Sequence, residues 1–327
     1  MQGFWSPEMS ENNPSNWQEK IVGDWYGCPS VFDATGTHVG YNKVNRASTF
    51  ENGRTTYTME TNLDAAGPIR SRYEAKTFAF GVLDSDQDRI YMGPDFMGSG
   101  QPFGSLVCAQ YYSPAWTSDL ETMVHVLDDG KTQVYSSLLY DGPTIAAVFN
   151  GVYTVAFDYE SNPETAQRVD AFVASEKVAG KNPHVLPFKH AGEWKGVFKV
   201  YSAEQEKLGE EQVTVRYRPD NLLRASMIVE TEGLLNLRYE TTRHRNGNRH
   251  AFEGPDMVGN GIAYGRALYT TQHLYGKATR IRGREFIIDD DYTMSVVWQI
   301  FESGRPKYTT YGVLNWQAGE QVLKARY

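Results

Sequence analysis

The chain repeats itself. Gly23-Asp24-Trp25-Tyr26-Gly27 returns as Gly192-Glu193-Trp194-Lys195-Gly196, and Arg72-Tyr73-Glu74 as Arg238-Tyr239-Glu240. The longest match sets Gly93–Gly104 against Gly254–Gly265, GPDFMGSGQPFG against GPDMVGNGIAYG, with six of twelve positions identical and Phe103 opposite Tyr264. Leu127-Asp128-Asp129-Gly130-Lys131 parallels Phe301-Glu302-Ser303-Gly304-Arg305. The offsets are 169, 166, 161 and 174 residues, and the order is kept. One short match would be chance, but several in order point to two homologous halves, each far too long for a solenoid unit.

The halves span residues 16–160 and 188–327, each about the size of a small independent domain. Residues 161–187 join them. Asn162 followed by Pro163 has the chemistry of an N-cap and first helical residue. Ala166, Val169, Ala171, Val173 and Ala174 form an imperfect apolar helical face, and the helix is expected to fade near Gly180. Lys181-Asn182-Pro183-His184 then reads as a linker.

Elsewhere the period is two. Thr55 to Thr61, Val124 to Leu127, Thr132 to Tyr140, Gln212 to Arg218, Ala225 to Glu230 and Thr293 to Phe301 read as strands, with turn residues between them. No strand–helix alternation appears, which disfavours dinucleotide-binding and α/β-barrel folds. The 43 aromatic residues, 21 of them Tyr, and the 30 glycines suit many strands and tight turns. About eight short strands per half are expected. A closed meander of that size has no exposed edge and an interior able to hold one small ligand. The fold class is therefore all-β: two tandem antiparallel barrels joined by a helical connector.

Thirty-two basic against 40 acidic residues, a net charge of −8, argue against nucleic-acid binding on a broad basic face. No run of 18 apolar residues marks a membrane span, and no signal-peptide pattern opens the chain, so a cytoplasmic protein is expected. Cys28 and Cys108 sit in apolar surroundings as buried thiols; a disulfide stays open, and neither belongs to a metal-ligand cluster.

The two Gly-x-Trp-x-Gly segments, at Trp25 and Trp194, resemble the first strand of the lipocalin-like (calycin) barrels. In that family a helix often packs on the barrel, the place the segment from Pro163 would take. A doubled barrel resembles the two-domain lipocalin-like proteins, which include carotenoid hydratases and natural-product cyclases. The resemblance implies an interior site for a hydrophobic small molecule.

The residues that could serve such a site are few. The Gly-Pro-Asp segments read first as turns. If their glycines instead let a strand pass close to a ligand, Asp95 and Asp256 become candidate acids at the cavity mouth. Arg72 and Arg238 lie on strands, either as surface partners of Glu74 and Glu240 or as inward anchors for an anionic group. The second half alone carries Arg266, Tyr269 and His273 after its Gly-rich segment, and such differences between halves bear on a single site. His273 is a candidate base, with Tyr264, Arg266 and Tyr269 as substrate contacts. His125 alternates with Val124 and Val126 and is a candidate to face the first interior. His244, His250, Arg243, Arg245 and Arg249 read as a solvated basic hairpin tip. No cofactor or metal motif is present.

The leading expectation is a cofactor-independent enzyme that cyclises, isomerises or hydrates a hydrophobic molecule by acid/base chemistry, with Asp256, His273 and Asp95 as catalytic groups. The alternative is a non-catalytic carrier for a lipid, pigment or similar ligand, and the third possibility is two filled structural barrels. A perturbed carboxyl in an apolar pocket favours the first, an apolar pocket without one the second. A homodimer stays open.

Overall fold

The structure, a computed structural model, describes residues 13–67, 69, 76–289 and 292–323. It consists of two antiparallel β-barrels in tandem with a helix between them. In the first half, helix α1 (Asn16–Ile21) precedes strands β1 (Gly23–Gly27), β2 (Ser30–Phe32), β3 (His38–Glu51), β4 (Arg54–Ala65), β5 (Lys76–Asp84), β6 (Arg89–Met92), β7 (Met97–Phe103), β8 (Leu106–Ser113), β9 (Ser118–Val126), β10 (Thr132–Asp141) and β11 (Thr144–Ala156). From β2 onward each strand pairs with the next, and β1 and β2 both bridge β3 and β11. The wall breaks at Cys28-Pro29, where Pro29 has no N–H for the ladder, so β1 and β2 fill one wall position and ten positions close the barrel.

Helix α2 (Pro163–Ala179) follows. Asn162 caps it by accepting from the Glu164 and Thr165 amides, and Gly180 ends it, as the sequence predicts. Its Val169 packs with Tyr26 and Ala156 on the outer wall. The second barrel runs β12 (His190–Ser202), β13 (Lys207–Asn221), β14 (Arg224–Glu232), β15 (Arg238–Asn246), β16 (Arg249–Glu253), β17 (Met257–Tyr264), β18 (Ala267–Leu274), β19 (Thr279–Ile287), β20 (Thr293–Glu302) and β21 (Arg305–Gln321), with β21 closing on β12.

Ten wall positions replace the expected eight. The Gly-rich segments are turns only at their start; from Met97 and Met257 they continue as the strands β7 and β17. The wall order also corrects one repeat pairing. The turn after Leu127 joins β9 to β10, so its counterpart is the β19–β20 turn at Ile288, not the β20–β21 turn at Ser303. The Leu127 amide donates to the Thr132 carbonyl and the Ile288 amide to the Thr293 carbonyl, both at 2.8 Å.

Strand alternation assigns two jobs to β8–β11. Val107, Ala109, Leu120, Val124, Tyr135, Leu139, Phe149 and Tyr153 point into the first barrel. Their neighbours Leu106, Met123, Val134, Leu138, Val148 and Val152 point out and pack on Tyr201, Tyr264, Ala267, Phe286, Val297 and Tyr311 of the second barrel. With both faces buried over much of their length, these strands also bury polar side chains such as Thr122, His125, Ser136 and Ser137 among the apolar ones.

The interface is close to reciprocal. Phe103 meets Tyr201 edge-on at 5.9 Å, and Tyr264 meets Phe32 edge-on at 6.3 Å. Phe103 and Tyr264 are repeat partners, and Phe32 and Tyr201 each stand seven residues after their Gly-x-Trp tryptophan. Each barrel thus places the same hairpin corner against the same strand of the other, as two copies related by a twofold axis would.

Candidate functional site

The second barrel is packed along most of its interior. Trp194, Phe198, Val215, Met227, Tyr239, Phe252, Met294, Trp298 and Leu314 belong to one continuous cluster across its interior. The first barrel is not. Its interior residues divide into an end around Trp17, Ile21, Trp25 and Val126 and an end around Phe78, Phe96, Trp116 and Phe149. Between them lies a cavity that opens at a mouth. Helix α1 lies against one end: Trp25 Nε1 donates to the Ile21 carbonyl at 2.9 Å, and the Gln18 amide bonds Ser48 Oγ at 2.8 Å. The Ser15 hydroxyl ties the helix start to Asp84 at 2.6 Å.

Aromatic rings dominate the cavity wall: Tyr57, Phe80, Tyr91, Phe96, Tyr111, Trp116, Tyr135, Phe149 and Tyr153. Phe96 contacts Phe78, Phe80, Tyr111 and Trp116, all edge-on. Burial pushes the Tyr91, Tyr111, Tyr135 and Tyr153 phenols above their ordinary range, so they stay neutral. The Tyr111 hydroxyl is bonded to Thr122 at 2.9 Å, and Thr122 to Ser137 at 2.8 Å.

Two arginines share this wall. Arg89 is 1% exposed and paired with Asp84 at 2.7 Å. Arg46 is 6% exposed and lines the cavity, and among the described residues no carboxylate pairs with it. Its guanidinium lies 4.3 Å from the centre of the Tyr153 ring and 5.7 Å from that of Tyr135. Burial opposes the Arg46 charge, the surrounding tyrosines favour it, and the group stays cationic. Among the described residues, Gln133, fully buried on the same wall, has no hydrogen-bond partner for either side-chain polar atom, and Asn42 Oδ1 also lacks one. Among the described lining residues there is no Asp, Glu, His, Lys or Cys.

The residues singled out from sequence lie elsewhere. Asp256 and His273 are exposed on the second barrel, and Asp95 is half-buried in the turn before β7 without lining the cavity. Arg238 is exposed and bridges Glu230 at 3.1 Å. Arg72 lies outside the described residues. His125, Tyr264, Arg266 and Tyr269 are brought together, but between the barrels. Alternation sends His125 outward, because Val124 and Val126 take the interior side. Its Nδ1 bonds Ser295 Oγ at 2.8 Å, and desolvation, with Lys199 nearby, lowers its pKa to about 4.

Tyr269 donates to Asn150 Oδ1 at 2.7 Å, and the Tyr264 carbonyl accepts from Asn150 Nδ2 at 3.2 Å. Arg266 bonds Glu176 of α2 at 2.6 Å. The features that set the second half apart are therefore docking features. Arg243 and His250, read as a solvated tip, are buried, with Arg243 Nε donating to His250 Nδ1 at 3.0 Å. The linker's His184 fills the other side of that arginine at 3.1 Å. The thiols of Cys28 and Cys108 are free.

A more open cleft runs between the barrels past Arg249, Asn260, Tyr269, Arg282 and Arg284. Two of its cations are already paired, Arg282 and Arg284 both reaching Glu121. Among the described residues no three His, Cys, Asp or Glu side chains gather as a metal site, and no helix is long and apolar enough to cross a membrane.

Sequence reasoning missed Arg46 and Gln133, although the repeat contains them. Arg46 faces Trp25 in the β1–β3 ladder, and Val215 faces Trp194 in the β12–β13 ladder. Gln133 sits between Val126 and Tyr153; Met294 sits between Ile287 and Leu314. Arg46, Gln133 and Tyr153 of the hollow barrel thus become Val215, Met294 and Leu314 in the filled one.

No family model matches the chain, and no curated protein matches it. Among solved structures, a protein of unknown function from the DUF3598 family of Nostoc punctiforme PCC 73102 aligns over 93% of this chain and 99% of its own, at 12% identity and a TM-score of 0.58. A putative outer membrane protein of Bacteroides fragilis NCTC 9343 aligns at 9% identity, over 93% of this chain and all of its own, with a TM-score of 0.24. The chain shares its two-barrel, lipocalin-like fold with the Nostoc protein.

Proposed function

We propose that the protein is a carrier for a hydrophobic small molecule, held in the first barrel, with the second barrel as its structural support. The observation that carries this reading is the contrast between the interiors. Repeat positions packed into one continuous core in one barrel surround an aromatic-walled cavity in the other. Such a wall offers a large apolar contact area with a few polar groups, the usual make-up of a small-molecule site.

The acid/base enzyme reading needs an ionisable acid or base beside the ligand. The described wall supplies neutral phenols and charged arginines, while Asp95, Asp256 and His273 lie off it. Cyclisation, isomerisation or hydration therefore has less support than binding.

The test is titration with N-phenyl-1-naphthylamine, a neutral apolar fluorophore. The wild-type protein is expected to bind one molecule per chain saturably. Ala109→Trp places an indole where a buried wall alanine stands and should abolish the signal in a folded protein. Absence of saturable binding, or binding indifferent to that substitution, overturns the carrier reading.

A further inference from the structure

The Arg46 charge needs a reason to be where it is. Taking a guanidinium out of water costs several kcal/mol unless an anion compensates it. Arg89 shows the compensated case in the same cavity, with Asp84 at 2.7 Å. Among the described residues Arg46 has the faces of Tyr153 and Tyr135 and no carboxylate. The fold does not require a cation at this position, since the second barrel closes with Val215 in its place.

The neighbouring groups point the same way. Gln133 stands directly opposite Tyr153 in the β10–β11 ladder, and its side-chain nitrogen and oxygen are buried without partners among the described residues. Its counterpart Met294 needs none. Three coupled replacements, at Arg46, Gln133 and Tyr153, thus put an unpaired planar cation, an unpaired amide donor and a phenol ring on one patch of an otherwise apolar wall. Such a patch leaves one positive charge unmatched and matches the two oxygens of a carboxylate.

We propose that the cavity takes an amphipathic monoanion, an apolar carboxylic acid whose carboxylate sits on the Arg46 guanidinium with Gln133 as second donor. The proposal rests on the carrier reading and names the chemical class of its ligand. The aromatic rings hold the apolar body, and the charge pair fixes its direction in the barrel. A neutral ligand of the same body would leave Arg46 unmatched.

The test uses dodecanoate and dodecan-1-ol at pH 8 as competitors for N-phenyl-1-naphthylamine. Arg46→Met should weaken dodecanoate at least about tenfold, the range of a charge-assisted hydrogen bond, and change dodecanol by less than about twofold. Arg46→Lys should retain most dodecanoate binding. Gln133→Met, which restores the second barrel's residue, should weaken dodecanoate alone. Equal loss of both competitors, or no loss of dodecanoate in a folded Arg46→Met protein, overturns the carboxylate assignment and leaves the carrier reading standing. Failure of the neutral fluorophore to bind wild type removes the carrier reading itself.

Discussion

Arg46 and Val215 occupy one position in two barrels, each opposite a Gly-x-Trp tryptophan, yet one is a buried cation and the other a core aliphatic. Their exchange separates function from stability. In ligand-free protein Arg46→Met removes an uncompensated buried charge, so its unfolding free energy should stay within about 1 kcal/mol of wild type or rise. Val215→Arg sets the same charge into a filled core and should cost about 3 kcal/mol or more. Thermal or denaturant unfolding of both variants checks this. A strongly destabilised Arg46→Met would show that the arginine holds the fold rather than waiting for a ligand.

The contrast also explains what the sequence discloses. Duplication, the barrel walls and the capped helix are legible because they rest on local signals: repeated turns, period-two strands, Asn-Pro before a helical face. The reasoning that a single site shows up as a difference between halves is sound, but two kinds of difference exist. Arg266 and Tyr269 differ because they dock one barrel on the other, and they stand close to a conspicuous motif. Arg46 differs because it lines the cavity, and it lies amid ordinary strand residues. Only counting 21 positions on from each tryptophan sets it against Val215. His125 shows a second limit. Its neighbours fix the alternation, but with both faces of β9 buried, apolar character does not say which side is the interior.

Glu176 on α2 receives Arg266 at 2.6 Å from the second barrel and the Val152 amide at 3.2 Å from the first. The two side chains are 9% and 7% exposed, so removing either leaves a buried charge alone. Arg266→Ala and Glu176→Ala should each destabilise by about 3–5 kcal/mol, while the double variant should cost much less than their sum. Additive losses in denaturant unfolding would count against the pair as the pin between helix and barrels.

His125 titrates near 4 in the folded protein against an ordinary value of 6.5, with desolvation the largest cause and Lys199 adding to it. The unfolded chain therefore binds the proton first. Stability is held above about pH 6.5 and lost as pH falls toward 4, by on the order of 3 kcal/mol from this residue. His125→Asn keeps a donor for Ser295 and cannot titrate, so its stability should fall less steeply across that window. Parallel slopes for variant and wild type, from unfolding at stepped pH, would sink the assignment.

Gly142 and Gly265 share a left-handed backbone, with φ of 57° and 59°, but not a neighbourhood. A methyl group at Gly142 meets nothing within 4 Å, whereas at Gly265 it would stand 2.5 Å from the Gly180 carbonyl oxygen and 2.5 Å from the Phe32 ring. Gly142→Ala should therefore cost only the conformational penalty, about 1 kcal/mol. Gly265→Ala adds a collision with backbone at the corner where α2, the first barrel and the second meet, and should cost a further 1–3 kcal/mol or so. The difference between the two substitutions measures how tightly the barrels are docked. Equal losses for both would mean that this corner yields, and that the reciprocal contact of Phe32 with Tyr264 is loose.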